Sequence, residues 1–162
     1  MKKIISVILV LVMSLGIFTA CSKKAKEYTN DQLIAAIKAS GNEMTEYNEP
    51  VAFDAEEAKV IYDFLEFDKE NYKSAAFSIS LINIKAYGIA VVQPAEGKAE
   101  AVIAELQGYV DTTKKNFEQY LQDQYAVAQN AIVKQLDSGV VIMVMCEDAQ
   151  SAFDNIVKEL DK

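Results

Sequence analysis

The sequence contains no histidine, no arginine and no tryptophan, and these absences exclude several kinds of site. Without histidine there is no Ser-His-Asp or Cys-His catalytic arrangement and no imidazole ligand for a metal. Without arginine there is no guanidinium group to hold a carboxylate or a phosphate by two parallel hydrogen bonds. The only cysteines are Cys21 and Cys146. Because Cys146 has no second thiol within the domain, we expect no structural disulfide.

Positive charge is also scarce, since the sequence has 16 lysines and 24 acidic residues and its formal net charge is −8. Loss of residues 1–20 would remove two lysines and leave 142 residues with a formal charge of −10, a length that suits one domain. An acidic domain repels phosphate backbones, so nucleic-acid binding is disfavoured. It also repels an anionic membrane, which leaves a covalent lipid as the main means of attachment.

The N-terminus has the features of a targeting segment. Lys2 and Lys3 precede a run from Ile4 to Gly16 that carries no charge. As a helix this run would be about 20 Å long, which is short for a hydrocarbon core of ~30 Å. A basic start, an apolar run and the small residues Thr19-Ala20 together predict a secretory signal peptide.

The stretch Phe18-Thr19-Ala20-Cys21 resembles the lipobox of bacterial lipoproteins. The resemblance implies that the chain is cut before Cys21 and that its sulfur carries a diacylglyceryl group, whose two acyl chains would hold a protein stably on a membrane. The alternatives are an uncleaved membrane anchor, or secretion with Cys21 as an unmodified thiol. The predicted organisation is a signal peptide (1–20), a lipidated cysteine with a polar tether (21–29) and one domain (30–162).

Hydrophobic periodicity and turn residues predict four helices and four strands in this domain. Gly139, after Asp137-Ser138, predicts a tight hairpin between the last two strands. Thr29, Asp54 and Asp148 are the predicted N-caps of the first, second and fourth helices. The predicted helices are 30–40, 55–66, 97–122 and a last helix that begins after Asp148; the predicted strands are 76–81, 87–92, 130–136 and 140–146.

The order of these elements predicts an α+β fold. Two N-terminal helices precede two hairpins, each followed by a helix (ββαββα), and the hairpins should merge into a four-stranded, mainly antiparallel sheet. We expect a two-layer sandwich in which the third and fourth helices cover one face. Ser78 and Ser80 suit the more open face, which the first two helices would cover in part.

Several segments together resemble a known family. These are the lipobox, "DQLIAAIKAS", "FDAEEAKVIYDF", "YGIAVVQ" and "SGVVIMVMCEDAQSAFDNIVKEL". They resemble short lipoproteins of Firmicutes that contain the domain of unknown function DUF4358. The resemblance covers about residues 30–160 and implies the lipoprotein assignment and the architecture, but it implies no catalytic residues. The family pattern often has an acidic residue where this chain has Gly88.

Two groups of side chains are candidate ligand sites. Oxygen ligands are concentrated between residues 63 and 71, and extracellular calcium sites use such groups, but the EF-hand spacing is absent and a solvated acidic loop explains the segment equally. Tyr87 and Tyr125 are candidates for a binding groove, with Tyr87 expected to be exposed and Tyr125 to lie in a loop; Tyr109 and Tyr120 are explained by core packing. The calcium candidates are Asp63, Glu66, Asp68 and Glu70.

The sequence gives little support for catalysis by a thiol or by carboxylates. Cys146 ends the most apolar strand beside Glu147 and Asp148, which disfavour a thiolate, so we expect a buried and inert thiol. The acidic residues lie mainly at caps and on polar helix faces. The sequence predicts no catalytic residues, no cofactor and no metal beyond the calcium candidates.

The favoured interpretation is a non-enzymatic domain on the extracytoplasmic face of the cell membrane, anchored through Cys21. It would bind an envelope protein or a small ligand through the sheet or through loops 66–75 and 123–130. The alternative is a cell-envelope hydrolase that uses carboxylates alone.

Overall fold

The computed structural model describes residues 26–162, so the predicted signal peptide, the lipobox and Cys21 lie outside the described residues. The described chain folds into six α-helices and five strands, with short 3-10 turns at Glu56–Ala58 and Lys69–Asn71. None of these helices is long and apolar enough to cross a bilayer. The elements in chain order are α1 (Asn30–Lys38), α2 (Met44–Tyr47), β1 (Val51–Ala52), α3 (Lys59–Leu65), β2 (Tyr72–Ile79), β3 (Gly88–Pro94), α4 (Ala99–Phe117), α5 (Gln122–Gln129), β4 (Ile132–Gln135), β5 (Val141–Met145) and α6 (Ala149–Leu160).

All strands belong to one antiparallel sheet with the order β1-β2-β3-β5-β4. The two predicted hairpins are present and merge through the pairing of β3 with β5. The prediction of four strands was wrong by one, because β1 pairs with the outer edge of β2. β1 has only two residues, too few to show an alternating pattern, and its pairing with Ala76 and Phe77 defines it as a strand.

Helices cover both faces of the sheet, so the molecule has three layers instead of the two predicted. Helices α3, α4 and α5 pack on the face formed by alternate residues such as Phe77, Val92 and Met143. Helices α1 and α6 pack on the opposite face, where Val91 and Ile142 lie. The third and fourth predicted helices, now α4 and α6, therefore lie on opposite faces. The physical reason is that β3 and β5 are buried on both faces, and each face needs its own apolar layer.

Ser78 and Ser80, which were expected on the more open face, are both buried. Ser78 Oγ lies 2.5 Å from the carbonyl oxygen of Asn48 and 2.8 Å from the hydroxyl of Tyr87. These bonds satisfy the hydroxyl where no water reaches it. Polar side chains in β2 were therefore a misleading sign of exposure.

The predicted helix 97–122 is shorter in the structure, and the predicted loop 123–130, which contains Tyr125, is largely the helix α5. Helix α4 ends at Phe117, and the chain bends through Leu121, whose φ of −127° and ψ of 78° are not helical, before α5 begins. Tyr120, predicted to face the core, is 56 % exposed. The bend carries neither glycine nor proline, so the sequence contained no local signal for it.

Of the three predicted N-caps, Thr29 caps its helix, whereas Asp54 and Asp148 do not. The Thr29 side chain accepts a bond from the backbone of Gln32, and the Gln32 side chain closes the reciprocal bond, so the predicted capping box is confirmed. Asp54 accepts a hydrogen bond from Asn30 Nδ2 at 2.8 Å instead of capping a helix. The Asp148 side chain makes no cap bond to α6.

Candidate functional site

Of the two candidate tyrosines, one is buried and the other is half-buried. Tyr87 is 1 % exposed, so the expectation that it lies on the surface was wrong: the helices on that face cover it, and its hydroxyl bonds to Ser78. Tyr125 is half-buried in α5 and packs against the core beneath it. Neither face of the sheet is open to a ligand, because helices cover both.

The acidic calcium candidates are all exposed and are not gathered into one site. Asp63 lies on α3, Glu66 ends that helix in the left-handed conformation with φ of 56°, and Asp68 accepts a bond from the backbone of Glu70 at 3.0 Å. Within residues 26–162, no group of three or more acidic, cysteine or histidine side chains is placed to hold a metal ion.

The structure instead contains a cleft of about 520 Å³ that sequence reasoning did not identify. We call it the main cleft; it lies between the C-terminal end of α3, the loop joining β2 to β3 (80–87, the hairpin loop) and the middle of α4. From Glu105 to Phe117 it follows α4 for about 18 Å. Its volume is within the range of roughly 300–1,000 Å³ found for small-molecule sites.

Apolar side chains form much of the cleft wall and its rim. Phe64 and Ile82 are 65 % and 64 % exposed, which is unusual for such large apolar groups on one small surface. Tyr120 stands beside them, and its hydroxyl donates to the carbonyl oxygen of Asn83 at 2.8 Å, which fastens the hairpin loop to the end of α4. The apolar residues of the wall are Phe64, Leu65, Leu81, Ile82 and Phe117.

Glu105 is the half-buried charged group of the cleft. Its Oε1 accepts hydrogen bonds from Asn71 Nδ2 at 2.5 Å and from the Asp68 amide at 3.4 Å. Its Oε2 accepts a bond from the hydroxyl of Tyr72. These bonds hold the carboxylate at the inner end of the cleft and join α4 to the start of β2.

The tyrosines behind this wall remain protonated. Burial raises the pKa of Tyr72 well above its ordinary value, and the hydrogen bond to Glu105 and that carboxylate's charge raise it further. Burial likewise raises the pKa of Tyr62, with smaller contributions from Asp54 and Glu105. Both rings belong to an aromatic cluster with Phe77, so they support the cleft wall and do not supply a base.

Gly108 lines the cleft, and Gly88 lies behind Tyr109, another residue of its wall. A Cβ at Gly88 would lie 2.8 Å from Cε1 of Tyr109, whose hydroxyl donates to the carbonyl oxygen of Tyr87 at 3.1 Å. Gly88 therefore lets this ring pack against β3. A Cβ at Gly108 would meet nothing within 4 Å, so this glycine leaves open space on the face of α4 that lines the cleft.

A second cleft of about 470 Å³ lies beyond the hairpin loop, and Cys146 is part of its wall. The thiol is buried, as predicted. Burial raises the pKa of Cys146 to about 11; the Asp148 amide opposes that rise, and the charges of Asp148 and Glu147 add to it. The thiol is therefore protonated at neutral pH and is not a nucleophile.

The N-terminal segment and the hairpin loop lie at opposite ends of the sheet. Lys26 Nζ donates to the carbonyl oxygen of Leu160 at 2.6 Å, and the Tyr28 amide donates to Gln93 Oε1 at 2.9 Å, near the end of β3. The hairpin loop and the end of β5 are at the other end, because Gly88 pairs with Met145. β2, which joins these ends, spans about 25 Å.

Glu105 was not identified from the sequence as a site residue, although its place on the apolar face of a helix indicated one. It lies three residues after Val102 and four before Tyr109, so it shares their face of α4. A carboxylate on an apolar helix stripe is uncommon and points to a polar partner or a cleft.

The chain matches the model of a protein family over residues 42–146, about two thirds of its length. The matched range contains α2 to α5, the whole sheet and every residue that lines the main cleft, whereas α1 and α6 lie outside it. Comparisons with curated proteins and with solved structures gave no match. The chain therefore belongs to the family described as domain of unknown function DUF4358.

Proposed function

We propose that this protein is a lipid-anchored, extracytoplasmic binding domain whose ligand occupies the main cleft. The main support for a binding role is the cleft itself. It combines exposed apolar side chains with the carboxylate of Glu105, which hydrogen bonds fix in position. The lipid anchor rests on the signal-like N-terminus and on Phe18-Thr19-Ala20-Cys21. The membrane is then a partner through the diacylglyceryl group on Cys21, and an envelope protein or a small ligand is the partner of the cleft.

The geometry supports an outward-facing cleft. Four residues lie between Cys21 and Lys26, so the five Cα–Cα steps that join them reach at most about 18 Å. Lys26 leaves the domain at the end of the sheet away from the hairpin loop. A domain held by this tether would turn the hairpin-loop end of the main cleft away from the membrane.

Binding is favoured over catalysis by the state of the reactive groups. Both oxygens of Glu105 already accept hydrogen bonds, and the Cys146 thiol is buried and protonated. The alternative, a hydrolase that uses carboxylates alone, draws on the fact that Glu66 and Glu105 line the same cleft. Glu66 is exposed on the rim and makes no hydrogen bond or ion pair among the described residues that would hold it in position.

Site-specific photocrosslinking on intact cells tests the binding role. A photoreactive phenylalanine analogue at Ile82, on the cleft rim, should give a discrete adduct. The same analogue at Lys158, exposed on α6 near the tether end, is the control and should give none. A Gly108→Phe substitution, which places a ring in the open space of the cleft, should abolish the Ile82 adduct. Equal adducts at both positions, or an adduct that survives the filled cleft, would contradict the proposal.

A further inference from the structure

The charge of Glu105 has no counter-ion in the described part of the chain. The ion pairs of residues 26–162 join Lys38 to Glu49, Lys73 to Glu27, Lys114 to Asp111 and Lys162 to Glu159. None of them involves Glu105 or Glu66. The donors that bind Glu105 are an amide side chain, a phenol and a backbone N–H, all of them neutral.

A half-buried carboxylate without a cation is costly for a structural role alone. A glutamine at this position would still accept from Asn71 and would donate to the Tyr72 hydroxyl, which would lose its own acceptor, so most of the connection between α4 and β2 would remain without a buried charge. The negative charge is therefore the property that needs explanation. Ionised hydrogen-bonding partners contribute about twice as much as neutral ones, and a cationic ligand group would gain that contribution here.

The surroundings of Glu105 define the remainder of the ligand. The lining of the cleft continues from this carboxylate along α4 through Gly108 to Phe117, and it includes Leu81 and Ile82 of the hairpin loop. Beyond the carboxylate the wall combines apolar and aromatic side chains with neutral polar ones, and the rings of Tyr109 and Phe64 suit either an alkyl chain or a cation. The neutral polar residues are Ser80, Asn83, Thr112, Thr113 and Asn116. A molecule with a charged head and an apolar body would match both parts.

Lys85 is the cation of the cleft, and its position leaves the inner end negative. It is exposed on the hairpin loop and lines the second cleft as well. It also faces Asp123: a side-chain hydrogen bond from Gln124 is the main cause of the lowered pKa of Asp123, and the charge of Lys85 adds to the effect. The net charge of −8 for the whole chain attracts cations in addition.

We propose that the ligand of the main cleft is a small amine-bearing amphiphile, whose ammonium group pairs with Glu105 while its apolar body lies along α4. This inference rests on the proposed function, since it specifies what the cleft binds.

Three probes with one apolar body test the inference: n-hexylammonium, 1-hexanol and hexanoate. The full chain in lipid nanodiscs is titrated with each, and binding is followed by NMR at the Gly108 and Thr112 amides, which lie on the cleft. The ammonium should bind about tenfold more tightly than the alcohol, the gain expected for one charge-assisted bond. That preference should shrink as salt is added.

Variants of α4 assign the preference to one carboxylate. Glu105→Gln should abolish the tenfold preference and leave the affinity for 1-hexanol unchanged. Glu100→Gln, on the exposed side of α4 and away from the cleft, is the matched control and should keep the preference. If Glu105→Gln does not fold, the comparison of the three probes on the natural chain still tests whether the cleft prefers an ammonium group.

Several outcomes would overturn the inference. Equal affinity for the ammonium and the alcohol would do so, and so would tighter binding of hexanoate, because Lys85 would then dominate the cleft. A preference that survives Glu105→Gln, or no binding of any probe, would do the same. The Ile82 crosslink tests the proposed function separately, so a failed charge preference with a positive crosslink removes only the ligand class.

Discussion

Replacing Gly108 by alanine should make the free protein more stable and its ligand binding weaker. Gly108 lies in the interior of α4, where glycine costs about 0.8–1.0 kcal/mol relative to alanine because its backbone loses more conformational freedom. A Cβ at this position would meet nothing within 4 Å, so no clash offsets the gain. The same methyl group would occupy space that a ligand in the main cleft needs.

The expected stabilisation is about 1 kcal/mol. With an unfolding entropy of roughly 2.1 cal/mol/K per residue over the described domain, this corresponds to a rise in Tm of about 3 °C. Thermal denaturation followed by circular dichroism measures it. The probe titration measured on the same variant should show a higher Kd for n-hexylammonium.

Gly97→Ala is the matched control, because it makes the same chemical change but is expected to lower the stability instead of raising it. Gly97 has a φ of +73° and a Cβ there would also meet nothing within 4 Å. Its backbone conformation alone should therefore cost about 1 kcal/mol. If Gly108→Ala lowers Tm, or leaves probe binding unchanged, then Gly108 does not keep the cleft open and the reasoning fails.

Other substitutions test the packing around the site. Gly88→Ala should cost about 1–3 kcal/mol in urea unfolding, because its methyl group would lie 2.8 Å from Cε1 of Tyr109; an unchanged stability would show that the ring is placed differently. Thr29→Ala should cost about 1 kcal/mol through loss of the capping box, whereas Asp148→Ala, which removes no cap bond, should cost under about 0.5 kcal/mol. Cys146 has a pKa raised to about 11 in the folded state, above its ordinary value of 9.0, so its contribution to stability is complete below pH 9 and is lost as pH rises toward 11. Cys146→Ala should therefore flatten the fall in stability over that interval, and an identical pH profile would contradict the assignment.

Much of the sheet could be predicted from local pattern. The alternation of Phe77 and Ile79 with serines, the Gly139 turn and the apolar run of β5 identify strands that the structure confirms. The amphipathic spacing of α6 and the capping box at Thr29 were equally readable. These features depend on neighbours within a few positions, which is why sequence reasoning succeeds on them.

The missed features depend on contacts between distant residues. β1 exists because Val51 meets Phe77, and the bend at Leu121 lies in a stretch whose apolar spacing continues as if the helix did. Ser78 is buried because Asn48 and Tyr87 satisfy its hydroxyl. The main cleft likewise requires α3, the hairpin loop and α4 to meet. Of its residues, only Glu105 could have been noticed in the sequence, because it is a carboxylate on the apolar stripe of α4.

Intact mass spectrometry of the protein, extracted from the membranes of its native cells, tests the central claim most directly. The account predicts a chain that begins at Cys21 and carries the added mass of a diacylglyceryl group, and it predicts that a Cys21→Ser variant leaves the membrane fraction. An unmodified thiol at residue 21, or a Cys21→Ser variant that remains firmly on the membrane, would contradict the anchor and the outward orientation inferred from it.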